Sequence, residues 1–290
     1  MAVVISASDV KKLRDQTGAG MMDCKAALTE ANGNSEEAVT ILRKRGLASA
    51  AKKAGRVAKE GLIAHRLSGD HTSGILAEVN CESDFVARTP DFQQLMADVL
   101  TEIEKKGDAA NDEWLKDPNG PIQQRLTPVI AKLGENMAVS RAVRYAGQGY
   151  VGQYIHPGDK VAVQVEFGGV TPAISGRPEF ATLVKEVAMQ IAAAMPTYVS
   201  RQAVPADVLE KERGIYRAQM ENSGKPANVL DKIVEGKLGA FYEQVVLVDQ
   251  LSVRQETKQT VGKLIEGVAK TLGAPVTVTR FARLKVGESQ

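Results

Sequence analysis

Two distant stretches of this chain carry the same apolar ladder. After Pro90 it runs Phe92, Leu95, Met96, Val99, Leu100, Ile103; after Pro178 the same spacing holds Phe180, Leu183, Val184, Val187, Ala188, Ile191. Upstream, Gly61-Leu62-Ile63-Ala64 matches Gly149-Tyr150-Val151-Gly152, and Gly69-Asp70 matches Gly158-Asp159. Alternating strand patterns follow, ending at Val79 and Val165. Downstream, Leu133-Gly134 precedes Val139-Ser140-Arg141, and Leu272-Gly273 precedes Val278-Thr279-Arg280, at a constant offset of 139 residues (Leu133 to Leu272). Such self-similarity means two copies of one supersecondary unit. Each copy reads hairpin, helix, helix, strand, so an α+β unit is expected, with three antiparallel strands and helices covering one face.

The copies differ in one spacing. Ile103 to Leu133 spans 30 residues, whereas Ile191 to Leu272 spans 81. The extra segment, 199–243, reads as two helices, Val208 to Met220 and Val229 to Tyr242. Asn222-Ser223-Gly224-Lys225-Pro226 between them is a stop followed by a start. Such a hairpin either packs only its own helices or offers a face for docking or self-association.

Before the repeats lies a small helical unit. Val10 and Leu13 sit at helical spacing with Ser8 as a candidate cap. Thr17-Gly18-Ala19-Gly20 breaks that helix, and a second restarts at Met22 and stops at Asn32-Gly33. Asn34 caps a third, with Glu37 in the capping-box position, and Gly46 is the expected end. Met21 and Met22 beside the Gly-rich turn are either core or an adaptable contact for a partner. Residues 43–59 carry Arg43, Lys44, Arg45, Lys52, Lys53, Arg56 and Lys59. They form either a solvated linker helix or an RNA-binding one; no aromatic interleaves them.

Composition narrows the function classes. With 37 basic and 35 acidic residues the net charge is +2, so no global field advertises a polyanion partner. Aromatics make up only 4%, too few for a base-stacking surface. No apolar run approaches the length of a membrane span, and the N-terminus lacks the pattern of a signal peptide. Cys24 and Cys81 have no CxxC neighbour and read as reduced small hydrophobes of a cytoplasmic protein. His65, His71 and His156 fall in hairpin regions with no acid or nucleophile at motif spacing. P-loop, GxSxG and HExxH patterns are missing. Neither an enzyme, a cofactor nor a metal is expected.

The connection after the first strand pattern is the candidate site. Copy one reads Cys81-Glu82-Ser83-Asp84-Phe85-Val86 where copy two reads Phe167-Gly168-Gly169-Val170-Thr171-Pro172. A scaffold shared by both copies serves packing, but only copy one places Asp-Phe in this loop. Phe85 either tucks under its own loop, with Asp84 capping a turn, or is presented outward.

Two long motifs resemble a known family. Leu13-Arg14-Asp15-Gln16-Thr17-Gly18-Ala19-Gly20-Met21-Met22-Asp23-Cys24-Lys25 is similar to the N-terminal signature of bacterial elongation factor Ts. Glu78-Val79-Asn80-Cys81-Glu82-Ser83-Asp84-Phe85-Val86-Ala87 looks like that family's Thr-Asp-Phe-Val loop, with Ser for Thr. The likeness extends through Gly134-Glu135-Asn136, Ser223-Gly224-Lys225-Pro226 and Lys258-Gln259-Thr260-Val261-Gly262.

The resemblance implies a guanine nucleotide exchange factor for the GTPase elongation factor Tu, making and breaking no covalent bond. It implies that Ser83, Asp84, Phe85 and Val86 form a wedge that displaces the GTPase's magnesium. It places Arg14, Met21 and Met22 against the G domain, and His156 and Gly158 against the third domain of Tu. The hairpin corresponds to the family's dimerisation module, which makes a homodimer through it possible; no membrane and no direct nucleic acid are expected. The implied division is 1–56, an N-terminal three-helix bundle like a ubiquitin-associated domain with a linker helix; 57–145, core subdomain one; 146–198 with 244–290, core subdomain two; and 199–243, the inserted hairpin. Both core subdomains are expected as three-stranded α/β sandwiches. Many family members continue into a further C-terminal helix that contacts Tu. Here only Ser289-Gln290 follow Glu288, so that contact is expected to be missing.

Overall fold

The computed structural model describes residues 4–147, 149–220, 226–254 and 258–288. Part of the expected stop at 222–226, and Ser289-Gln290, lie outside the described residues. The chain opens with α1 (Ala7–Thr17), α2 (Met21–Glu30) and α3 (Ser35–Lys53). Ser6, not Ser8, caps α1, its hydroxyl accepting the Asp9 amide; Ser8 falls inside the first turn. Asn34 caps α3 through the amides of Glu36 and Glu37. Val10, Leu13, Cys24, Ala27, Leu28 and Ala38 form the shared core of these helices.

Copy one follows as β1 (Glu60–Leu67), β2 (Ser73–Cys81), α4 (Asp84–Ala87), α5 (Pro90–Lys106), α6 (Asp112–Lys116), α7 (Pro121–Leu133) and β3 (Met137–Ala146). Copy two is β4 (Tyr150–Ile155), β5 (Val161–Gly168), α8 (Pro172–Ser175), α9 (Pro178–Ala194), the insert α10 (Ala206–Met220) and α11 (Ala227–Val245), then α12 (Val261–Leu272) and β6 (Thr277–Lys285). Two three-stranded antiparallel sheets result, β1-β2-β3 and β4-β5-β6. The fold is α+β. The expected helix stop at Gly46 does not occur: α3 continues to Lys53 because Gly46 packs on Thr127 and Ala131 of α7. Tertiary contact overrides the low helix propensity of glycine there.

The structure corrects the register of the repeat at two points. The hairpins and the α4 and α8 turns superpose at a constant 88 residues (Gly61 to Gly149), so Phe85 corresponds to Ala173 and Asp84 to Pro172. The turn residues pair as His71 with Asp159, both left-handed at φ 59° and 55°. The Gly-Asp likeness misled by one residue, since Asp70 and Gly158 share the preceding position.

Central strands β2 and β5 are buried on both faces. Odd-numbered side chains of β2 (Ile75, Ala77, Val79, Cys81) join the core under α5 and α7. Odd-numbered side chains of β5 (Val163, Val165, Phe167) join that of α9 and α12. The even-numbered set faces the other sheet, where Ile63, Leu76, Ala162 and Leu284 form a small apolar cluster. The layers are therefore helix, sheet, sheet, helix.

Between the sheets the contacts are reciprocal. Ile63 N donates to Asp159 O and, 88 residues on, Val151 N donates to His71 O, both at 2.7 Å. Each sheet also buries a carboxylate at a β-bulge, paired with an arginine of its third strand. These are Glu78 with Arg141 at 2.7 Å and Glu166 with Arg280 at 2.8 Å. Arg141 also donates to Lys285 O of the other copy, and Arg280 lies 4.1 Å over the ring of Tyr145. Burial pushes the Tyr145 hydroxyl up to about 12.

The insert is a hairpin closed at its base, where Thr197 N donates to Val245 O and Leu247 N to Tyr198 O. Val234 and Leu238 of α11 are buried.

Gly61 has φ +138°, and a Cβ there would lie 2.1 Å from Val79 O. We expect Gly61→Ala to cost at least about 2 kcal/mol in urea unfolding, from strain and lost β1–β2 pairing. Gly55→Ala, with open space around it, should stay within about 0.5 kcal/mol of the parent.

Candidate functional site

The segment after β2 is not an irregular loop. Asp84–Ala87 form one helical turn, α4, and Ser83 caps it by accepting the Val86 amide. Thr89 then caps α5 through the Phe92 amide, and its hydroxyl donates to Val86 O at 2.8 Å. Within α4, Ala87 is buried and Val86 packs on the core of copy one. Phe85 points away and is 78% exposed. Asp84 accepts from Arg88 at 2.8 Å along the outer rim. An aromatic ring left in water on a capped, well-packed turn is not a core residue.

The turn is held from below by a residue that the sequence reading did not count as a site residue. The Glu135 carboxylate, in the loop after α7, accepts the amides of Glu82 and Ser83 at 3.1 and 3.0 Å and the Ser83 hydroxyl at 2.6 Å. In return the Glu82 carboxylate accepts the Asn136 amide at 2.6 Å. Asn136 donates to Arg56 O at 2.8 Å, which ties in the chain leaving α3. Glu135 lies 52 and 53 positions from its partners. No local pattern could have found it; the only signal was its place in Gly134-Glu135-Asn136.

The other expected residues lie on separate elements. Met21 and Met22 open α2 and are 56% and 74% exposed, which decides against the core reading. Arg14 is exposed on α1. His156 is exposed in the β4–β5 turn, with Nδ1 3.0 Å from the Tyr154 hydroxyl, and Gly158 supplies the turn's φ of +92°. Among the described residues, no hydrogen bond joins 82–88 to Arg14 or to the β4–β5 turn.

Part of the basic run is engaged internally. Arg45 pairs with Glu30 at 2.6 Å, Lys53 donates to Ser49 at 2.6 Å, and Arg56 lies 3.5 Å from Glu82. A cleft of about 480 Å³ between α3 and α7 is lined by Leu42, Gly46, Leu47, Thr127 and Pro128. Among the described residues, no group of three His, Cys, Asp or Glu could hold a metal, and no helix is long and apolar enough to cross a membrane.

Comparison with known proteins settles the family. A family model described as Elongation factor TS matches residues 82–288, more than half of the chain. The chain belongs to the elongation factor Ts family. Relatives named Elongation factor Ts include one from Clostridium botulinum strain Eklund 17B, 46% identical over 98% of this chain and 94% of its own length. One from Aquifex aeolicus strain VF5 is 42% identical over 99% of both chains. One from Trichlorobacter lovleyi is 41% identical over 99% of this chain and 94% of its own. In this elongation factor Ts member, the segment singled out by likeness and the one that exposes an aromatic on a braced turn are the same.

The braced turn also buries Cys81, whose thiol donates to Ser83 O at 3.0 Å. Burial, reinforced by the Glu135 carboxylate, pushes that thiol up to about 11. A raised thiol favours the fold while both states are protonated; this contribution is lost as pH rises from about 9 through about 11. Cys24 is buried as well. A thiol-specific disulfide reagent at pH 8 should therefore titrate neither cysteine in the native protein and both after unfolding; prompt native reaction at Cys81 would contradict the geometry.

Proposed function

We propose that this protein is a guanine nucleotide exchange factor for elongation factor Tu, acting in the cytoplasm without covalent chemistry. The observation that carries the reading is Phe85, an exposed aromatic on a capped turn whose other side chains are engaged. Its ring is presented for a pocket on another protein. An aromatic anchor of this kind contributes on the order of 2 kcal/mol or more when truncated at an interface.

The proposed mechanism follows from charge. Ser83, Asp84, Phe85 and Val86 enter the GTPase beside its nucleotide-bound magnesium and displace the ion. The ion neutralises phosphate charge, so its displacement weakens GDP binding and lets GTP enter. Linkage makes the effect reciprocal: the factor loosens the nucleotide and the nucleotide loosens the factor, each by about tenfold per 1.4 kcal/mol of coupling. Asp84, held to Arg88, orients the turn's outer edge. Arg14, Met21 and Met22 are assigned to the G domain, and His156 with Gly158 to the third domain of the GTPase. The chain divides functionally into 1–56, 57–145, 146–198 with 244–290, and 199–243, the last serving as a homodimer contact.

The test is stopped-flow release of a fluorescent GDP analogue from elongation factor Tu. The parent should accelerate release, and Phe85→Ala should lose roughly thirtyfold or more of that acceleration. Its melting temperature should stay unchanged, because the ring is exposed. Acceleration that survives Phe85→Ala would move the mechanism away from this turn. No acceleration by the folded parent would overturn the exchange reading.

A further inference from the structure

The duplication contains an internal control for Glu135. Both copies build one helical turn between their second strand and their long helix, α4 and α8. In copy two, Ala274 stands where copy one has Glu135, Thr171 where it has Ser83, and Ala173 where it has Phe85. Thr171 makes no side-chain cap bond. The α8 turn closes with the Ile174 and Ser175 amides donating to Thr171 O at 2.9 and 3.0 Å and the Ser175 hydroxyl to Pro172 O at 3.1 Å. The flanking loops meet there by direct backbone approach at Gly169, where a Cβ would lie 2.2 Å from Pro275 O. The turn therefore forms without a carboxylate. Copy one adds one where the turn carries an exposed aromatic.

We propose that Glu135 is a positioning residue for Phe85. Its two oxygens take the amides of Glu82 and Ser83 and the hydroxyl of Ser83. They thereby fix the residue that caps α4, and with it the direction in which Phe85 leaves the surface. An anchor held in one orientation spends none of its binding energy on ordering itself, which leaves that energy for the displacement step in the bound complex. These part-buried amides also need an acceptor, so losing the carboxylate leaves the 82–83 segment seeking another conformation. The functional consequence rests on the exchange reading above; the positioning itself does not.

Glutamine can preserve the arrangement. Its amide oxygen can accept both backbone N–H groups while its NH2 donates to Ser83 Oγ. Glu135→Ala cannot.

The experiment pairs two readouts on the full chain: GDP-analogue release from elongation factor Tu across a concentration series, and amide hydrogen exchange over 82–88 and 170–176. With Glu135→Ala, amides of 83–87 should exchange at least about tenfold faster while 171–175 keep their protection. The maximal release rate should fall at least about fivefold, with a smaller change in the half-saturating concentration. Glu135→Gln should bring both readouts back to within about twofold of the parent. Unchanged exchange over 83–87 in Glu135→Ala would overturn the proposal, as would full-rate nucleotide release by that variant or failure of Glu135→Gln to rescue. If the parent itself releases no nucleotide, the exchange reading falls, and hydrogen exchange alone decides whether Glu135 positions the turn.

Discussion

Ile63 N donating to Asp159 O and Val151 N donating to His71 O clamp the two sheets from opposite ends. Each acceptor is the left-handed residue of a hairpin turn in the other copy. The apolar cluster between the sheets is small, so directional bonds, more than area, set their orientation. The paired carboxylates reinforce this. Glu78 accepts both from Arg141 and from the Gly287 amide of copy two. Removing Arg141 would leave the buried Glu78 carboxylate uncompensated, a loss of about 3–5 kcal/mol. The helices on the outer faces, and everything mounted on them, take their places from this seam.

The braced turn sits at the end of β2, one of the two strands buried on both faces. Three chain segments meet beneath it: the exit of α3, the loop after β2 and the loop after α7. Arg56 O, Glu82, Ser83, Glu135 and Asn136 join them in one hydrogen-bonded set. Rigidity in the core and exposure at one ring are two parts of the same arrangement.

The outward layers were readable because their chemistry is periodic. Phe92, Leu95, Val99 and Ile103 repeat at helical spacing, and all are buried. The seam between the sheets was not readable. Glu78, Gln164 and Glu166 look like a solvent face along their strands, yet all are buried against the other copy. Gly46 misled because its helix is held by α7, a partner distant in sequence. Phe85 was legible as an anomaly, while Glu135 became visible only when the chain folded it onto residues more than fifty positions away.

The central claim is that the Phe85 ring leaves water for a pocket on the GTPase while the rest of the chain holds its shape. Fluorine NMR on protein labelled with 4-fluorophenylalanine reads this directly, since the chain has 6 phenylalanines and loss of one resonance in Phe85→Ala assigns that ring. On adding elongation factor Tu, the account predicts that the Phe85 resonance shifts and loses its solvent isotope effect while those of buried Phe92, Phe167 and Phe180 stay in place. A Phe85 resonance that keeps its full solvent isotope effect in a complex actively releasing nucleotide would contradict it.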